Sequence, residues 1–168
     1  MAAIDRYHHE QLSFLAQSGR VMEEQIEHLE ELYRLAAIRV AALRRVCTDP
    51  TPDIAQLSKA RHGLISVSIA RSRYLQTVIY PLLGAVSDAA LSLAIQDLDS
   101  DLATRRALSS RHVTHWSLDA VQADWPGYRK AVARLLRGVE TRIVKEKSVI
   151  LPALHKAVMT RAECRIPA

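Results

Sequence analysis

In the stretch TRIVKEKSVILPAL, Thr141 to Leu154, a single glutamate, Glu146, interrupts a helical row of apolar side chains. Arg142 stands one turn before it. An acid and a base four residues apart share a helix face and can pair. On a solvated face that is a plain ion pair. On a core-facing row each charge must neutralise the other, because a lone buried charge is costly. A second arginine, Arg71, lies on another apolar row, Leu57, Leu64, Arg71, Leu75, Val78, Leu82. Three arrangements are open. Arg71, Arg142 and Glu146 form a buried polar network, with Glu24 or Asp97 as a second acid. Alternatively, the arginines reach outward along their aliphatic stems. In the third, the centre is a polar pocket for a small anion.

Other residues with chemical potential are scattered. His112 and His115 have the i,i+3 spacing of a metal pair, but SSRHVTHWS reads as a loop. His8 and His9 lie near the terminus, and His62 is nine residues from Arg71. The two cysteines, Cys47 and Cys164, form no metal or redox motif. The serines lack a glycine-rich elbow and there is no phosphate loop. No catalytic constellation is found, and the chain is not expected to be an enzyme.

These residues must be positioned by helices. Of the 168 residues, 49% are hydrophobic and 24% charged, and glycine (5) and proline (6) are scarce. This is globular, helix-favouring composition. Residues 4–18 predict a short N-terminal helix broken at Gly19. From Arg20 to Cys47 a stripe of Met22, Ile26, Leu29, Tyr33, Ala36, Val40, Leu43 and Cys47 predicts a core-facing helix. Its acids come first and its arginines last, which suits the helix dipole. In TDPTPD, Thr51 reads as the N-cap of a second helix, with Pro52 at its first position, running to about Leu83. Ser87-Asp88 begins a third helix, to about Leu108, and a turn follows at 117–123. DWPG opens a fourth long helix, about 126–160. The expected fold is all-α: an antiparallel up-down-up-down four-helix bundle with a short extra N-terminal helix. Residues 1–19 are the extension, 20–160 the bundle and 161–168 a tail. A three-helix array with one long broken helix is the alternative.

The ends of the second and fourth helices repeat. RSRYLQTVIYPLL and RIVKEKSVILPAL align without a gap, matching Arg71 to Arg142, Val78 to Val149, Ile79 to Ile150, Pro81 to Pro152 and Leu83 to Leu154. At these two ends the chain resembles the hemerythrin-like (HHE cation-binding) domains. Their second and fourth helices typically end in a histidine, three residues, a glutamate, then an apolar pair and a proline. Glu146, Pro152 and Pro81 fall in that register. The resemblance implies the bundle scaffold over about 20–160. It also implies a di-iron site, with His28 as a loose match to a ligand histidine and Glu146 as a carboxylate. The departures argue against that cofactor. Arg71 and Arg142 replace histidines, and Leu75 replaces a carboxylate. A protonated guanidinium has no lone pair for a metal. A degenerate, metal-depleted member without cofactor is therefore expected. Any residual metal would fall to His28 and Glu146.

The formal net charge is +5. The row Arg129, Lys130, Arg134 and Arg137 marks a basic face at the start of the fourth helix, with Leu135, Val144 and Val158 as stray apolar positions. Without interleaved aromatic residues it is a poor nucleic-acid footprint. A protein partner or a homodimer is the expected use, with nucleic acid disfavoured and no membrane role. The longest uncharged run, Tyr74 to Ser87, is too short to span a bilayer. The start of the chain lacks a basic-then-apolar pattern, so a cytoplasmic protein is expected. The expected function is a non-catalytic regulatory or protein-interaction module. The alternative is a small-molecule or metal/oxygen sensor that uses the altered bundle centre.

Overall fold

A computed structural model describes the backbone of residues 2–85 and 88–163, and the side chains of 20–85 and 88–160. Every described element is helical: α1 (Ala2–Val46), α2 (Ile54–Tyr74), a π-helical turn (Leu75–Ile79), α3 (Tyr80–Gly84), α4 (Ala89–His115), α5 (Leu118–Ala123) and α6 (Trp125–Glu163). No strand occurs among the described residues, and no helix there is long and apolar enough to cross a membrane. His8, His9 and Cys164 lie outside the described side chains, as does the 161–168 tail.

Three expected boundaries are corrected. α1 does not break at Gly19 but runs unbroken for 45 residues, about 68 Å at 1.5 Å per residue. A glycine costs only about 1 kcal/mol inside a helix, too little to stop one between strong helix formers. α2 is capped by Asp53, not Thr51: the Asp53 carboxylate accepts from the Gln56 amide at 2.9 Å. α4 continues past Leu108 to His115, so His112 and His115 sit on its last turn rather than in a loop. Serine costs a helix only a few tenths of a kcal/mol, and no glycine or proline lies between Ala89 and Asp124. The stop comes at Ser117, whose hydroxyl caps α5 through the Ala120 amide at 3.2 Å.

The core is one continuous cluster. The α1 stripe from Met22 to Leu43 is buried, and Cys47 beyond it is half-buried. α1 packs along α2 and α6, and α4 packs on α6. Cross-contacts fix their relative course. Arg39 lies beside Gly63, while Tyr74 reaches back to the Gln25 carbonyl at 3.3 Å. On α4 and α6, Arg105 meets Gly138, Arg142 meets Asp101, and Lys145 meets Asp97. In both pairs, numbers rise on one helix as they fall on the other. At the end where α6 begins, Trp125 stacks on Tyr128 with centroids 5.5 Å apart. There Trp125 Nε1 donates to the Asp49 carbonyl, and Arg61 Nη1 to that of Trp116, both at 2.9 Å. These bonds tie the connecting segments to the aromatic end of the core.

Candidate functional site: a buried arginine–glutamate centre

Arg71, Arg142 and Glu146 meet inside the core, at 5%, 3% and 1% exposure. Arg142 Nε donates to Glu146 Oε1 at 2.6 Å, one turn along α6. Its Nη2 donates to the Leu98 carbonyl on α4 at 2.6 Å, and its Nη1 to Asp101 Oδ2 at 3.2 Å. One guanidinium thus serves three acceptors, two of which hold α6 to α4, the fork geometry for which arginine is suited. Burial works against its charge, but the Glu146 hydrogen bond and the charges of Glu146, Tyr80 and Asp101 outweigh burial and raise its pKa.

Arg71 approaches from α2. Its Nε lies 3.1 Å from Glu146 Oε2. The contact is close in charge but misaligned as a hydrogen bond, so Arg71 Nε and Glu146 Oε2 both lack a hydrogen-bond partner among the described residues. Arg71 Nη1 and the Tyr33 hydroxyl, also buried, have none either. Tyr33 faces this group from α1. Burial, then the Glu146 charge, pushes its phenol far up, so it stays protonated and remains a donor. Tyr80 joins through Arg142, and burial pushes it up to about 12.

The centre contains residues that sequence reasoning did not assign to it. The second acid is Asp101, shared between Arg142 and Arg105. It is neither Glu24, which is exposed, nor Asp97, which pairs with Lys145 at the surface. Tyr33 was visible only as one member of the α1 stripe. Asp101 and Tyr80 carried no distinctive signal. The arginines do not reach outward.

The π-helical turn directly follows the last turn of α2, which carries Arg71. Its buried row is Arg71, Leu75, Ile79, Leu83, whereas the regular rhythm predicts Val78 and Leu82, which are only half-buried. A spacing of four drifts by about 40° per step on an α-helix. A wider turn reduces that drift at Leu75–Ile79, whereas on α6 the matching row Arg142, Glu146, Ile150 and Leu154 is buried on a regular helix. α6 carries Pro152 without such a turn, so proline alone does not produce it.

The other candidates lie elsewhere. His28 is exposed and sets its ring edge against Tyr74, 4.6 Å between centroids, on the rim of an open groove with Leu32, Ile69 and Arg73. Glu146 is committed to the arginines, so the structure does not bring His28 and Glu146 together as a ligand pair. Among the described residues no three His, Cys, Asp or Glu side chains converge as metal ligands. Arg129, Lys130, Arg134 and Arg137 are all exposed on α6, and none forms an ion pair among the described residues. Of the stray apolar positions, Val144 is exposed, while Leu135 and Val158 are half-buried. No family model, curated protein or solved structure matches the chain.

Proposed function

We propose that the chain is a non-catalytic helical module in which an ion-pair centre stands where related bundles hold metal, and that it acts through protein contacts. In this reading α1, α2 with α3, α4 and α6 form an antiparallel up-down-up-down four-helix bundle over residues 20–160. The opposed numbering across α1/α2 and α4/α6 supports it. The hemerythrin-like resemblance belongs to the same proposal. Its support is that Arg71 and Arg142, which stand at the histidine positions of that pattern, converge on the one retained carboxylate, Glu146.

That convergence carries the reading, because guanidiniums occupy the coordinating positions and donate rather than accept. The test is metal content by plasma mass spectrometry on untagged protein, with an absorption spectrum of the same sample. Iron, manganese and zinc far below one per chain are expected. Two irons per chain with oxo-bridge absorption would reject the reading.

The contact surface proposed is the unpaired row Lys130, Arg134 and Arg137, which shares one face of α6. It suits an acidic protein surface, whether of another protein or of a second copy. Light scattering at rising salt tests self-association. A monomer at every salt concentration leaves only a different protein as partner.

A second reading is a sensor of a small molecule at the centre. The observation favouring it is the set of unpartnered polar atoms on Arg71, Tyr33 and Glu146.

A further inference from the structure

Buried polar atoms almost always find partners, and here the unpartnered ones are unbalanced. Arg71 Nε and Glu146 Oε2 face each other at 3.1 Å. Setting those two aside leaves at this centre Arg71 Nη1, which can only donate, and the Tyr33 hydroxyl, which can donate one proton, both without a partner among the described residues. The charge is unbalanced in the same sense. Arg71 and Arg142 together face one fully buried carboxylate, Glu146. Asp101, at the edge of the group, is shared with Arg105, which offsets it. An excess of donors and of positive charge inside a low-dielectric core calls for a guest that accepts and is negative.

We propose that the centre binds one small monovalent anion of halide size, held by Arg71 Nη1 and the Tyr33 hydroxyl. The guest accepts from both donors and offsets the second arginine. Neutral water would satisfy the donors but leave the charge uncompensated. This inference deepens the sensor reading, on which it rests, by naming the class of guest, and makes no use of the family resemblance.

Bromide is the probe. Melting is followed in sodium bromide and in sodium gluconate, whose anion is too bulky for the interior, at equal ionic strength. The expected result is a midpoint that rises with bromide and saturates, as for a ligand specific to the folded state. Tyr33→Phe keeps the ring and removes one donor, and it should weaken the apparent bromide affinity about tenfold, as for one hydrogen bond to a charged group. Crystals grown in bromide should show an anomalous peak between Arg71 and Tyr33. Equal midpoints in the two salts, with no such peak, would overturn the anion site. The metal measurement is independent, so that outcome would leave the scaffold reading standing. A peak only at the surface, with the Tyr33→Phe variant responding like the parent, would also overturn it.

Discussion

Arg71 on α2 sets its Nε 3.1 Å from Glu146 Oε2 on α6, and neither side chain is more than 6% exposed. This contact joins two helices far apart in sequence through opposite charges that water barely reaches. Glu146 also receives Arg142, so it is the one acid that both buried arginines share. Removing it leaves two guanidiniums in the core. Glu146→Ala should cost about 3–5 kcal/mol, the usual penalty for breaking a buried pair. Chemical denaturation measures it. A loss below about 1 kcal/mol, as for an exposed pair, would show that water enters the centre.

Removing the whole group has the opposite expectation. Replacing Arg71, Arg142 and Glu146 together by methionine or leucine removes the desolvation cost along with the attraction. Such replacements are often neutral or stabilising by about 1–4 kcal/mol. The triple variant should be more stable than Glu146→Ala by several kcal/mol in the same denaturation experiment. If it unfolds as easily as the single variant, the centre holds the helices in register through contacts beyond charge, such as the Arg142 bond to the Leu98 carbonyl.

Much of this was legible in the sequence, and the reason differs residue by residue. The α1 stripe is dictated by apolar periodicity, and its members from Met22 to Leu43 are buried. Arg142 and Glu146 are readable because a four-residue spacing on one helix fixes a shared face. Asp101 was not readable, because its role depends on how far α4 slides along α6, and no local pattern encodes that. The capping shift from Thr51 to Asp53 was a choice between two good capping residues two positions apart, settled by where Gln56 falls. Ile79 and Leu83 were missed in favour of Val78 and Leu82 because the rhythm assumed a regular α-helix through Pro81.

At alkaline pH the buried phenols set a limit. Burial pushes Tyr80 and Tyr128 up to about 12 from the ordinary phenol value of 10.0. In the unfolded chain they ionise near 10, while in the fold they stay protonated. The folded state then binds more protons, so stability falls as pH rises. The contribution is complete below pH 10 and is lost between about 10 and 12. Unfolding free energy should decline across that window, with phenolate absorbance appearing as the protein unfolds. Full phenolate absorbance near pH 10 with the fold intact would contradict the burial.

Two glycines should respond oppositely to alanine. At Gly138, inside α6, a methyl group would meet only Arg105 Nη1, at 3.9 Å, an ordinary contact. Gly138→Ala should therefore raise stability by about 0.5–1 kcal/mol. At Gly127 the methyl would collide with the Asp124 carboxylate, which accepts from the Gly127 amide at 2.9 Å and caps the first turn of α6. Gly127→Ala should lose about 1 kcal/mol, as for a lost cap. Thermal melts of the two variants give the comparison.

Charge reversal of Lys130, Arg134 and Arg137 to glutamate should leave folding within about 0.5 kcal/mol, because none of the three forms an ion pair among the described residues. A large loss of stability would show that the row supports the fold rather than presenting a contact surface.

The π-helical turn at Leu75–Ile79 carries one residue more than a regular helix needs there. Its five residues cover about the rotation and rise of four α-helical ones. Deleting one of them would leave a regular α-helix, with Tyr80 and Leu83 beyond it close to where they are. The same deletion inside α6, between Glu146 and Ile150, would turn every later residue of that helix by about 100° and swing Ile150 and Leu154 off the core. A gap of one residue should therefore be accepted at 75–79 and refused within the regular helices.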